Sequence, residues 1–161
     1  MNHMVFGDKD DEVDRKGLLP ILGLLLLILG VFSPTTIVNS EKYSIYDLNS
    51  YVESIPADSD TGDLANLLNS IISLITVSIL LSVPFALLSL KFHRTALIAS
   101  IIVLLAGFFE IVFFMVFIQV IEQAGQTIFL SYSPFIFFIS SAVFLLDNYR
   151  NRTNTESEQI E

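Results

Sequence analysis

The amino-acid sequence predicts an all-α membrane protein: an antiparallel bundle of four transmembrane helices with a short extracellular loop. Two observations support this fold class. The 161-residue chain is 53% hydrophobic, and its apolar residues fall into four segments that are each about as long as a bilayer is thick. Nearly all charged residues lie outside these segments. The predicted spans are 17–33, 64–90, 95–121 and 128–146, and together they form one membrane domain, 17–147.

The first apolar segment is followed almost at once by Pro34, which cannot continue a helix. A cleaved signal peptide is the alternative interpretation. The tail before the segment is acidic, and Val31-Phe32-Ser33 makes a poor cleavage site, so we expect an uncleaved span. The terminal tails 1–16 and 148–161 are polar and poor in large apolar residues, so we expect both to be disordered and cytoplasmic.

The loop 34–63 contains the signals of a small β-hairpin. Residues 35–38 form an apolar extended piece, 39–41 form a turn, and 42–46 form a second extended piece. A helical turn is expected to begin at Asp47. The acidic residues just before the second span lack the spacing of a calcium-binding loop, and we interpret them as a helix cap.

The remaining three segments carry their own helix signals. The second contains no charged residue, and Pro84 is expected to kink its inner half. The third is about 40 Å long at the rise of an α-helix, which is enough for it to tilt or protrude. The fourth has Pro134 near its start, so its helix proper is expected to begin near this proline.

The basic residues predict the orientation of the bundle. All lysines and arginines except Lys42 fall on one side of a four-span topology. Positive charge is enriched on the cytoplasmic side of membrane proteins, so both termini are predicted to be cytoplasmic in a cell membrane. The residues expected to contact lipid headgroups on that side are Arg15, Lys16, Lys91, His93, Arg94, Arg150 and Arg152.

Glu110 is the single charged residue inside a predicted span. At about 100° per residue, its helix face consists mainly of small residues. These are Ala96, Ala99, Val103, Ala106 and Gly107, with Ser100 at the edge. Small residues allow helices to approach closely in a membrane, so this face is predicted to point inward and to bury Glu110. No span offers a lysine or arginine as a partner, and we therefore expect a neutral acid.

Depth along the spans predicts a polar cluster around Glu110. Its expected members are Thr76, Ser78, Ser140 and Ser141. Two interpretations follow. Glu110 is either a structural acid that hydrogen-bonds across helices or to a partner subunit, or the proton- or cation-binding residue of a small transporter or channel component. The sequence has no second deep acid and no basic partner in a span, which favours the structural interpretation.

The sequence offers no catalytic constellation. It lacks a nucleophile elbow, a zinc-protease motif and a phosphate-binding glycine loop, and it has no cysteine. The net charge of −9 and the lack of a basic patch argue against nucleic acid. We expect no enzymatic activity, no cofactor and no bound metal. The expected partners are the lipid bilayer and other membrane protein subunits or a second copy of the chain, and no small-molecule substrate is identifiable.

The layout resembles the claudin and peripheral-myelin-protein-like tetraspan group, and also small prokaryotic four-span membrane proteins. The likeness rests on a first span that ends at a proline, an outer loop with strand-like pieces and three closely spaced helices, and it covers 17–146. It implies the four-span architecture. The chain has neither tryptophan nor cysteine, so it lacks the claudin loop signature and no family residue is carried over. The expected role is a structural, scaffolding or accessory subunit of a membrane protein assembly.

Overall fold

The computed structural model describes residues 10–53, 62–92, 94–123 and 126–158. Within these ranges the chain is mostly helical and also forms one small sheet. The elements in chain order are α1 (Asp10–Phe32), β1 (Thr36–Val38), β2 (Glu41–Tyr43), α2 (Ile45–Glu53), α3 (Gly62–Ser89), α4 (Arg94–Gln123), β3 (Ile128–Leu130) and α5 (Ser133–Glu158).

The two longest helices, α3 and α4, begin and end within two residues of the predicted second and third spans. Both are long and apolar enough to cross a membrane, and Pro84 lies inside α3 without ending it. The apolar part of α1, Leu18–Phe32, is shorter. Two such helices make the chain a candidate for membrane insertion, whereas the four-span topology stays a prediction.

The first and last helices extend into tails that were expected to be disordered. α1 begins at Asp10, and α5 continues to Glu158. Neither extension contains a glycine or proline that would stop a helix. In α5, the Asn151 amide also donates to the carbonyl and to Oδ1 of Asp147, at 2.8 and 3.1 Å. The rest of the two tails, 1–9 and 159–161, lies outside the described residues.

The predicted hairpin is present and belongs to a three-stranded antiparallel sheet with β1 in the middle. Asn39 and Ser40 connect β1 to β2 with φ values of 49° and 73°. Two consecutive residues with positive φ are what a tight hairpin turn requires, and asparagine tolerates this conformation better than most residues.

The third strand corrects the sequence prediction, which placed residues 128–130 in the fourth span. β3 pairs with β1, with Thr36 opposite Leu130 and Val38 opposite Ile128. The apolar composition of these residues suits either a buried strand or a span. The helix starts only at Ser133, with Pro134 in its first turn, as expected for a residue that lacks a backbone donor.

Helix α2 begins at Ile45 and not at the predicted Asp47. Ser44 caps it: the Asp47 backbone N–H donates to Ser44 Oγ at 3.4 Å. In return the Ser44 backbone N–H and hydroxyl donate to Asp47 Oδ2 at 2.9 and 2.7 Å. This reciprocal arrangement is a capping box. The hydrogen bonds from Ser44 stabilise the carboxylate and lower the pKa of Asp47 below its ordinary value.

The four long helices form a row in which α5 packs between α1 and α4, and α4 packs between α5 and α3. The outer helices α1 and α3 also contact each other, but over a smaller area. Neighbouring helices are antiparallel. We use two names for the two ends of the bundle along the helix axes. The sheet end carries the three strands and α2, and the basic end carries the start of α1, the link between α3 and α4, and the last part of α5.

Helices α1 and α5 approach closely at two glycines, Gly23 and Gly30. A Cβ on Gly23 would come within 2.9 Å of the Phe144 ring, and one on Gly30 within 2.7 Å of the Phe137 ring. Both the glycines and the phenylalanines are seven residues apart, so the contact repeats after two turns on each helix. The seam depends on the missing glycine side chains.

Candidate functional site

Glu110 lies on the buried face of α4, as the helical wheel predicts. Its side chain is 1% exposed, and the small residues that share its face are fully buried. The opposite face, including Ile101, Leu105 and Phe108, is exposed. The expectation that the small-residue face points inward is therefore confirmed for the described structure.

One oxygen of the Glu110 carboxyl group joins three parts of the chain. The Thr35 hydroxyl lies 3.2 Å from Oε1, and the Ser133 hydroxyl lies 3.1 Å from the same atom. Ser133 Oγ also lies 3.0 Å from the carbonyl oxygen of Gly30. Thr35 follows α1 and Ser133 begins α5, so Glu110 connects the middle of α4 to the segment just after α1 and to the first turn of α5.

The predicted cluster of hydroxyls does not surround Glu110. Ser140 donates to the Gly23 carbonyl at 2.8 Å, and Thr76 donates to the Ile72 carbonyl of its own helix at 2.9 Å. Ser141 and Ser100 each donate to the other's backbone carbonyl at 2.9 Å, which joins α4 to α5. Ser78 is half-buried on α3.

The depth estimate fails because it counted from residue 128, the start of the predicted span, whereas the helix begins at Ser133, near Pro134 as expected. Ser133 lies at the level of Glu110, so Ser140, seven residues further along the helix, lies about 10 Å closer to the basic end. The two hydroxyls that reach Glu110 were missed for related reasons. Thr35 was assigned to the loop, and Ser133 to the interior of a span. The one signal for Ser133 was its position directly before Pro134 at a helix start.

The other carboxyl oxygen, Oε2, is buried and has no hydrogen-bond partner among the described residues. The same is true of the Ser131 hydroxyl. The Ser131 backbone N–H donates to the Thr35 carbonyl at 3.0 Å, which continues the β1–β3 register and sets Ser131 opposite Thr35. Directly opposite residues of a sheet share one face, so Ser131 lies on the side from which Thr35 contacts Glu110.

Proton counting relates this geometry to the charge of Glu110. The Ser133 hydroxyl has one hydrogen but two acceptors within reach, Gly30 O and Glu110 Oε1. If that hydrogen goes to Gly30, a neutral Glu110 can itself donate to Ser133 and every short contact is satisfied. If Glu110 is ionised, Ser133 has to choose between the two oxygens. The neutral acid expected from the sequence fits this arrangement, and its protonation state stays a prediction.

The predicted headgroup residues lie at one end of the structure. Lys91, Arg94, Arg150 and Arg152 are exposed at the basic end, and Lys91 Nζ lies 5.5 Å from the centre of the Phe92 ring. Arg15 and Lys16 lie in the first part of α1, where the described structure covers the backbone only. His93 lies outside the described residues. Helix topology therefore gathers the basic positions, whereas their contact with lipid stays a prediction.

The described residues contain no group of three or more histidine, cysteine or acidic side chains placed to bind a metal ion. Comparisons with protein-family models, with curated proteins and with solved structures find no match for this chain. Function therefore has to be inferred from the surface of the helices and from the environment of Glu110.

Proposed function

We propose that this chain is a small integral membrane protein with four membrane-crossing helices, and that it acts as a structural, scaffolding or accessory subunit of a membrane protein assembly. One observation carries the proposal: large aliphatic side chains are exposed on all four long helices, including the shorter apolar part of α1. A water-soluble bundle hides such residues, whereas a membrane accommodates them.

Each of the four long helices contributes several exposed aliphatic side chains. On α1 it includes Leu18, Leu22 and Leu25, and on α5 it includes Ile139 and Leu146. Helices α3 and α4 expose comparable series of leucines and isoleucines. Apolar patches on soluble monomers rarely exceed a few hundred Å². A surface of this kind on four antiparallel helices supports insertion of the whole row, with the basic end in the cytoplasm.

The buried polar groups support a structural role. Hydroxyls of α5 bond to backbone carbonyls of α1 and α4, and Glu110 joins the ends of α1 and α5. These contacts stabilise the bundle. Helices α1 and α3 contact each other much less than they contact α5 and α4, and each keeps a long exposed apolar face. We propose that partner subunits pack against these two faces.

The topology can be tested with single cysteines, because the chain has none of its own. In intact cells, a membrane-impermeant maleimide should label Lys42→Cys at the sheet end. Arg94→Cys and Arg152→Cys at the basic end should react only after the membrane is permeabilised. The unsubstituted chain is the control for labelling specificity. Labelling of Arg94→Cys in intact cells would contradict the proposed orientation.

The subunit role requires a partner. The native protein, purified in a mild detergent, should co-elute with other membrane proteins or with further copies of itself, and it should do so at a fixed ratio. Variants with an aspartate on the exposed α1 face, such as Leu25→Asp, should lose the partner while still folding. A lone monomer in every mild detergent would contradict the subunit role.

A second candidate function is proton or cation binding at Glu110 in a small transporter or channel component. The observation that favours it is the pair of buried oxygens without partners, Glu110 Oε2 and Ser131 Oγ. Together with Thr35 and Ser133 they supply oxygen atoms only, which suit a proton or a hard cation.

Glu110→Gln separates the two candidate functions. Glutamine keeps an oxygen acceptor and adds a donor, so a structural acid should tolerate it with little loss of assembly or stability. A proton or cation site should lose ion flux in proteoliposomes while the bundle stays assembled. Proton flux is followed with an enclosed pH-sensitive dye and sodium flux with a radiolabel. Absence of any flux with the unsubstituted protein would exclude the second function.

A further inference from the structure

We propose that the outer surface of the bilayer lies at the level of Glu110, so that the outer parts of α3 and α4 stand outside the membrane. There they join α2 and the sheet in one extramembrane cap. This inference rests on the proposed membrane insertion. It differs from the expectation drawn from segment length, which centres α4 in the bilayer and places Glu110 close to the middle.

The first argument is the level at which Glu110 is held. Its hydrogen-bond partners are Thr35, just beyond the end of α1, and Ser133, the first residue of α5. Helix α4 continues past Glu110 to Gln123, which is about 20 Å of further helix. Helices α1 and α5 therefore both terminate at the level of the middle of α4. A single bilayer cannot be centred both on these two helices and on α4.

The second argument is the position of two tyrosines on either side of the apolar part of α5. Tyr132 precedes the helix and Tyr149 lies near the basic end, and their side chains are 50% and 67% exposed. Tyrosine is enriched at the two membrane–water interfaces. The two positions are 17 residues apart, which corresponds to about 25 Å along a helix and is close to the thickness of a hydrocarbon core. The outer tyrosine lies next to Ser133 and thus near the level of Glu110.

The third argument is the aromatic packing beyond this level. Phe113 and Phe117 stack at 5.1 Å between ring centres, and Tyr51 of α2 meets Phe117 edge-on at 5.6 Å. Leu48 and Val52 of α2 are also fully buried. The amphipathic α2 and the sheet thus cover the outer part of α4 as they would in a water-soluble domain. A helix segment surrounded by lipid would need no such cover.

The fourth argument is the polar stripe of α3, which points away from Glu110. Asn66, Ser70 and Ser73 are exposed, and both serines donate to carbonyls of their own helix. The link between α3 and α4 is short, so residues equally far from it lie at similar depth, and Ser73 lies near the level of Glu110. An exposed asparagine amide is costly in hydrocarbon and is stable in water. The stripe therefore fits a segment above the bilayer surface.

The inference is tested with a matched pair of tryptophans, because the chain has none. Ile101 and Met115 lie equally far on either side of Phe108 and are 51% and 62% exposed. If α4 is centred in the bilayer, Ile101→Trp and Met115→Trp lie at equal depth. If Glu110 marks the surface, only position 101 is deep.

Each variant is reconstituted in phospholipids brominated near the middle of their acyl chains. Ile101→Trp should lose most of its fluorescence, whereas Met115→Trp should keep nearly all of it and respond instead to acrylamide in the water. Equal quenching of both by bromine would overturn the inference. A third tryptophan at the exposed Ile139 of α5 separates the hypotheses. If neither Ile139→Trp nor Ile101→Trp is quenched, the protein is not inserted and the proposed function fails first.

Discussion

The two ends of α4 are stabilised in different ways. Toward the basic end, its buried face consists of alanines, Val103 and Ser100, and helix contacts are made by small residues and by hydroxyls that bond to carbonyls. Toward the sheet end, the same helix buries Phe113 and Phe117 under α2 and the strands. Small-residue packing is typical of helix interfaces in membranes. Buried aromatic clusters are typical of the cores of water-soluble domains. Glu110 lies where one mode replaces the other.

The comparison shows that one apolar helix can contain two halves that are packed in different ways. By length and hydropathy, 94–121 qualifies as one continuous membrane-crossing segment. The neighbouring elements divide α4 into two parts. Helix α1 ends and α5 begins near the level of Glu110, and α2 and the sheet lie beyond that level. The following substitutions test this division, from the largest expected effect to the smallest.

Gly30→Leu should disrupt the seam between α1 and α5. A Cβ at this position would come within 2.7 Å of the Phe137 ring, which is itself fully buried. Overpacking of this kind costs about 3 kcal/mol of the free energy of unfolding. The measurement is an SDS titration in mixed micelles, followed by circular dichroism. Gly62→Leu is the matched control, since no atom lies within 4 Å of its added Cβ. Equal losses for the two variants would contradict the close approach.

Glu110→Ala should destabilise the junction between the two halves. The hydroxyls of Thr35 and Ser133 lose the carboxyl oxygen that they share, and a small cavity is left. Unpaired buried polar groups cost about 2 kcal/mol in the same titration. Glu110→Gln serves as the conservative control and should retain most of the stability. If the alanine variant is as stable as the glutamine variant, Glu110 does not join the helices.

Ser140→Ala tests a single contact in the half of the bundle near the basic end. It removes the hydrogen bond from α5 to the Gly23 carbonyl, which is 2.8 Å long. Interhelical hydrogen bonds in membrane bundles contribute about 0.6 kcal/mol on average, so the loss should be small but measurable. Ser73→Ala is the control, because Ser73 is exposed and bonds only to its own helix. The prediction fails if both serines contribute equally.

Acidification should loosen α2 slightly. The hydrogen bonds from Ser44 lower the pKa of Asp47 in the folded protein below 3.8. A lowered pKa contributes stability above the unfolded pKa, and this stability is lost as the pH falls through the folded pKa. Asp47 is almost fully exposed, so the effect should stay below about 0.5 kcal/mol.

The measurement is hydrogen exchange of the α2 amides between pH 5 and pH 3, corrected for intrinsic rates. These amides should lose protection at the acid end in the unsubstituted protein. In Asp47→Asn their protection should be independent of pH, because asparagine does not titrate. If the protection still depends on pH in the asparagine variant, the effect belongs to another carboxyl group.

Local sequence signals predicted much of the fold. Periodicity set the limits of α3 and α4 and the buried face around Glu110, and turn residues indicated the hairpin at Asn39. The partners of Glu110 could not be predicted in the same way. They depend on the depth of α5, and counting from residue 128 instead of from the helix start at Ser133 shifts every serine of α5 by more than one turn.

Pairing over long sequence distances was equally inaccessible. A three-residue apolar strand such as β3 has no periodicity of its own, and only its partner β1 distinguishes it from the start of a span. The resemblance in layout to four-span proteins implied an outer loop but no third strand. The sheet end, where non-local contacts dominate, was therefore predicted less well than the helices.

The position of β3 in the chain also determines when the fold can be completed during synthesis. During synthesis, β1 and β2 emerge directly after the first helix, but the partner for the free edge of β1 arrives only after α3 and α4. Until then α1 lacks its main packing partner α5, and Ser133 has not joined Thr35 at Glu110. Strand β3, which is translated late, thus completes the sheet that begins directly after the first helix. A chain shortened before β3 would leave β1 at an open edge of the sheet.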